Sequence, residues 1–177
     1  MKVVITIIVV LLSTNINCQE TPFFEQIALQ FYDSIIQKKH PIDKKIVLNK
    51  YTLDLHRTER KFIPPNCSWH TNISDEYKAE PLKSYYSLIT NIDSDKFELD
   101  ISNIKKKRYR IRKNGKGRCP KLFISLPHKY DDNSEILYIN IEEKHSEQLT
   151  VIYHLQLALN GEVINWCRNE QQYIIVK

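Results

Sequence analysis

Two groups of residues in this chain have the types and spacing for chemistry. The first is His154 with Cys167. Asn160-Gly161 separates two apolar segments, and Asn-Gly is a strong hairpin signal because both turn positions need positive φ. Treated as a two-residue loop, it sets Leu155 across from Trp166 and His154 across from Cys167. A histidine beside a thiol can make a thiolate available as a nucleophile, with Asn165 or Gln156 as an orienting group. The plainer use of such a pair is two half-exposed side chains on a sheet face, and no local signature surrounds Cys167. The sequence therefore favours a protein with no catalytic residue, with Cys167 and His154 as the alternative of a thiol-dependent hydrolase.

The second group is a basic ribbon. Ten Lys or Arg residues and no acid lie between Ile104 and Lys121, while the rest of the chain carries more acid than base. In residues 107–113 the alternation of a strand places Arg108, Arg110 and Arg112 on one face, with Tyr109 and Ile111 on the other. Lys113, Lys116 and Arg118 continue the charge through the turn Asn114-Gly115-Lys116-Gly117, so the segment reads as a basic hairpin. A guanidinium row binds phosphates or carboxylates. The partner classes are an anionic polysaccharide, a lipid headgroup or a protein; export, argued below, disfavours nucleic acid. The structural alternative is an edge hairpin guarded by charge against further strand pairing, or a purely structural envelope protein.

Cofactor and metal signals are weak. Three glycines in 177 residues leave no GxGxxG or GxxxxGK[ST] loop, and no cofactor is expected. Cys67 with His70, and Asp54 with His56, could each supply two ligands, but a structural zinc site needs four. Residues 1–18 begin with Lys2 and an apolar run from Val3 to Leu12, then turn polar, which is the pattern of a secretory signal. Cleavage after Cys18 gives a secreted or periplasmic protein; acylation of Cys18 would give a lipid-anchored one. Cys67, Cys119 and Cys167 then share an oxidising compartment. Loop signals beside Cys67 and Cys119 favour a disulfide between those two, leaving Cys167 as a buried small hydrophobe.

The elements that must position these groups read as one α+β domain over residues 19–177, with residues 1–18 removed. Apolar content of 42% and charged content of 27% are ordinary for a globular chain. Thr21-Pro22 opens a helix, Pro41 closes it, and Phe24, Ile27, Ala28, Phe31, Ile35 and Ile36 form its apolar stripe. Strands are expected over residues 46–55, 83–90, 96–102, 107–112, 121–126, 135–143 and 172–176, with the Asn160-Gly161 hairpin between the last two. One hairpin face collects Val151, Tyr153, Leu155, Leu157, Ile164 and Trp166 and should receive the helix. The other collects Ile152, His154, Gln156, Ala158, Val163, Asn165 and Cys167 and should be wetter and open to contact. An N-terminal amphipathic helix packed on a curved, mainly antiparallel sheet is the expected fold.

The leading helix over residues 22–39, with the strands of residues 149–166 and their Asn-Gly turn before an aromatic, resembles small cystatin-like or NTF2-like exported domains. The resemblance implies a sheet wrapped around a helix with room for a pocket. It assigns an activity to no residue of this chain.

Overall fold

The computed structural model describes residues 24–52, 67, 80–81, 98–102, 104, 107–112, 118, 120–129 and 135–172. The signal-like segment with Cys18, the strands expected over residues 83–90 and 172–176, and Asp54, His56 and His70 lie outside these, apart from the single residue Gln172.

Helix α1 runs over residues 24–39. It starts as α-helix (Phe24–Phe31), widens through a π-helical turn (Tyr32–Ile36) and closes with Gln37–Lys39. His40 leaves the helical region (φ −131°, ψ 73°), in keeping with the bias of a residue before proline, and Pro41 stops the helix as expected. Phe24, Ala28 and Ile36 of the expected stripe face the core and Ile27 and Phe31 pack against it, but Ile35 does not, and Tyr32 joins the buried row. Phe24, Ala28, Tyr32 and Ile36 are fully buried at a spacing of four, beside a second row of Glu25, Leu29, Asp33 and Gln37; Ile35 is 37% exposed. In a regular α-helix a spacing of four drifts by about 40° per step. The wider π turn takes up that drift and turns Ile35 outward.

Among the described residues eight strands form one mixed sheet: β1 (Ile46–Asn49), β2 (Glu80–Pro81), β3 (Tyr109–Arg112), β4 (Lys121–Ile124), β5 (His128–Lys129), β6 (Ile136–Lys144), β7 (Leu149–Ala158) and β8 (Val163–Gln172). Across its main body the order is β8, β7, β6, β4, β1, β3. The long strands β6, β7 and β8 are antiparallel, as is β4 on β6. The basic segment, however, is not a hairpin. β1 lies between β3 and β4 and runs parallel to both. All four residues of β1, Ile-Val-Leu-Asn, are buried, as befits a central parallel strand covered on both sides. The link from residue 112 to residue 121 is therefore a crossover.

Helix α1 packs on β6 and β4. On that side of the sheet lie Ile46, Leu48, Tyr109, Leu122, Ile124, Leu137, Ile139, Ile141, Val151, Tyr153, Leu155 and Leu157, all in one buried cluster. The side away from the helix is not the open surface expected of it. Thr150, Ile152, His154 and Gln156 of β7 are buried there, as are Tyr138 and Asn140 of β6.

The β7–β8 hairpin reaches the expected register by another route. Gly161 sits at φ 89° and its N–H donates to the Ala158 carbonyl at 2.9 Å, while the Ala158 N–H donates to the Glu162 carbonyl at 2.9 Å. This is a three-residue loop closed by a left-handed glycine. It pairs Leu157 with Val163, and a bulge at Ile164 then restores Gln156–Asn165, Leu155–Trp166 and His154–Cys167. Val163 and Trp166 pack on the core, and Ile164 is 53% exposed. Leu155→Ala should therefore lower the unfolding free energy by about 2–5 kcal/mol, and Ile164→Ala by less than about 0.5 kcal/mol, in denaturant titrations.

Candidate functional site

The cations expected to bind anions divide in the structure. Arg110 and Arg112 are exposed on the side of the sheet away from the helix, and Arg118 is exposed beyond β3. Arg108 does not share their face. It precedes the strand, and its guanidinium lies 3.4 Å from Asp33 of α1, which also accepts a hydrogen bond from the Tyr109 hydroxyl at 2.9 Å. Arg108 thus ties β3 to the helix. Lys113 and Lys116 lie outside the described residues.

Sheet registry brings in Lys121, the last cation of the ribbon, and adds Lys144, which sequence spacing does not join to these. Arg110 pairs with Val47, Val47 with Lys121, and Lys121 with Lys144. All four side chains point away from the helix, because residues one position along each strand (Ile46, Tyr109, Leu122 and Glu143) point toward it. The result is a transverse line of Arg110, Lys121 and Lys144 across three inter-strand steps, about 14 Å at the usual strand spacing. Lys121 and Lys144 are half-buried and directly opposite each other. Like charges in that position are destabilising. Arg110, Arg112, Lys121 and Lys144 form no ion pair among the described residues. Glu142, two residues before Lys144 on the same side of β6, is the nearest acid along the strand. The signal for Lys144 in the sequence is its parity with Lys121, legible only once β4 is known to pair with β6.

On the helix side lies a second polar group, which sequence reasoning missed. Glu143 follows Leu137, Ile139 and Ile141 at strand parity, so its carboxylate enters the core, where it is 2% exposed. One oxygen accepts from the Tyr32 hydroxyl and from Gln37 Nε2 at 3.4 Å. The other meets His145 Nε2 at 3.0 Å and accepts from the Tyr153 hydroxyl at 3.4 Å. Gln37 Nε2 also donates to the Tyr32 oxygen at 2.7 Å. Burial pushes the Tyr32 hydroxyl well above the usual tyrosine value, and the Glu143 charge adds to it. Burial and then Glu143 raise Tyr153 too, against the opposing pull of Arg168. Tyr109 is raised by burial and by Asp33, with Arg108 opposing. A carboxylate enclosed by donors in a packed core is a clasp between helix and sheet.

The His154/Cys167 pair is a neighbour pair, as expected, but it carries no thiolate. Cys167 is joined to Cys67 in a disulfide with Cα atoms 5.8 Å apart. His154 Nδ1 lies 2.7 Å from Asn140 Oδ1 within the sheet. The expected Cys67–Cys119 bridge is thereby corrected. Cys67 is 2% exposed, and 100 residues separate it from its partner, so proximity to loop residues in sequence carried no information about proximity in space. Cys119 lies outside the described residues. The bridge also removes Cys67 from the Cys67–His70 ligand pair, and no group of three His, Cys, Asp or Glu side chains is arranged for a metal among the described residues. No helix among them is long and apolar enough to cross a membrane.

Two outcomes follow for the clasp. Glu143→Ala should cost about 3 kcal/mol of stability, because buried donors lose their acceptor. The raised tyrosines make the folded state hold protons that the unfolded chain releases above about pH 10, so their contribution is intact below that value and declines as pH rises beyond it. In an alkaline titration followed by phenolate absorbance, Tyr32, Tyr109 and Tyr153 should ionise together with unfolding, and Tyr32→Phe should remove one of those late steps. The chain matches no protein-family model, no curated protein and no solved structure.

Proposed function

We propose that the protein is an exported, non-enzymatic binding domain that takes a multiply charged anionic ligand along the line Arg110–Lys121–Lys144, with Arg112 beside it. The observation that carries this reading is the direct opposition of Lys121 and Lys144 with no carboxylate paired to either among the described residues. Such an arrangement costs folding energy, and an anion bridging the two ammonium groups removes the cost. Export is supported by the signal-like residues 1–18 and by a disulfide, which persists in oxidising compartments. In that setting the partner is a sulfated or carboxylated polysaccharide, a lipid headgroup or an acidic protein surface, and nucleic acid is disfavoured. A cystatin-like or NTF2-like kinship belongs to the same proposal; its support is one helix laid across a sheet whose longest strands are antiparallel.

Retention on a sulfated-polysaccharide column tests the reading. The variant Arg110→Ala/Lys121→Ala/Lys144→Ala should elute at much lower salt than the native chain, with the salt dependence reduced by about one counterion per lost contact. A control that removes three exposed cations elsewhere, Lys38→Ala/Lys44→Ala/Lys45→Ala, should elute near the native position. Equal shifts for both variants would reduce the row to net charge alone. Lys144→Gln by itself should weaken retention while raising stability by about 0.3 kcal/mol, the sign expected when a like-charge pair is relieved.

A further inference from the structure

The line of cations has a repeat and a twist. Lys144 and Lys121 stand on adjacent strands, about 4.8 Å apart at the usual strand spacing. Val47 of β1 holds the third position and Arg110 of β3 the fourth. Charges therefore fall on the first, second and fourth steps of a row whose unit is the inter-strand distance. Lys144 and Lys121 are half-buried and Arg110 is exposed. On the same side, the next row begins with Glu142 opposite Phe123 and ends with Asn49 opposite Arg112. The Glu142 carboxylate repels a polyanion from that row and keeps it on the first. A sheet rotates each strand by roughly 20–25° against its neighbour, so the side chains of the row turn by roughly 60–75° between Lys144 and Arg110. A flat bilayer surface meets only part of such a row at once. An extended acidic peptide presents same-side carboxylates about 6.8 Å apart, out of step with adjacent strands. A polysaccharide advances by about one strand step per sugar, and rotation about its glycosidic bonds lets it follow the twist.

We infer that, given the anion-binding reading above, the ligand is a run of consecutive uronic acid residues crossing the strands, with one sugar over each of β6, β4, β1 and β3. The sugars over β6 and β4 are neighbours, and each carries a carboxylate, one for Lys144 and one for Lys121. A polymer charged only on alternate sugars leaves one ammonium of that opposed pair unmatched. The sugar over β1 meets Val47, where the row has no cation, and turns its carboxylate to solvent. The sugar over β3 gives its carboxylate to Arg110, whose planar guanidinium binds it through two N–H groups. Four sugars thus fill the row, and a fifth finds no further cation on it among the described residues.

Titration calorimetry of the full chain with oligogalacturonates of two to six sugars provides the test. Affinity should rise up to four sugars and then level off. Arg110→Ala should lower the affinity for the tetramer by about tenfold or more, the loss of one charge-assisted contact, and leave that for the dimer unchanged, so the plateau moves from four sugars to two. The retained dimer affinity also shows that the variant is folded. Lys144→Gln should move the plateau to three. No binding of the hexamer, an affinity independent of length, or a plateau that stays at four in Arg110→Ala overturns the inference. So does equal or tighter binding of hexaglutamate or of phosphatidylserine vesicles. If the sulfated-polysaccharide column still retains the native chain through the same three cations, such a result removes only the ligand's class and length; if it does not, the anion-binding reading falls as well.

Discussion

A buried carboxylate holds the two layers of this protein together. Glu143 receives donors from three directions: Tyr32 and Gln37 from the helix, Tyr153 from β7, and His145 from the turn that follows β6. A charge withdrawn from water this far is tolerated only when its acceptor sites are filled. The requirement fixes where the helix lies along the sheet and how it is rotated. Tyr32 and Gln37, five residues apart, reach the same oxygen from a π-helical turn. The widened turn that pushes Ile35 into solvent is thus the turn that brings both donors to the clasp. Asp33, one residue along, performs the matching task at the β3 end of the sheet by holding Tyr109 and Arg108.

Once the helix side of the sheet is fixed, parity decides everything on the opposite side. Leu122, Tyr109 and Glu143 point inward, so Lys121, Arg110 and Lys144 must point outward. The insertion of β1 between β3 and β4 then aligns those three cations across the sheet. In a simple meander, β3 would lie against β4 and the arginines would form a strip along one strand. The parallel crossover converts the strip into a line that runs across strands, with Val47 as its apolar gap.

The sequence revealed the end of the helix and the body of the β7–β8 pairing, and the reasons are local. Pro41 closes the helix through a backbone restriction that acts within a few residues. The Leu155–Trp166 register was legible although the assumed turn was wrong. The glycine loop is one residue longer than assumed, and the bulge at Ile164 compensates for it. What was not legible is non-local. Nothing in Ile-Val-Leu-Asn says that it lies between two basic strands, and nothing near Cys67 points to a residue 100 positions away. The buried state of Glu143 follows from strand parity only once Leu137, Ile139 and Ile141 are known to face the helix. Arg108 escaped its expected face because it precedes the strand and is drawn to Asp33.

The bulge at Ile164 separates chain length from strand register. Because it is one unopposed residue between two correctly matched segments, Leu157–Val163 and Gln156–Asn165, its loss would leave every other cross-strand partner unchanged, including the cysteine that bridges to residue 67. Chain length at that point is decoupled from the covalent framework. Deletion of Ile164 alone would therefore turn the bulge into a regular ladder without moving any other pair of β7 and β8.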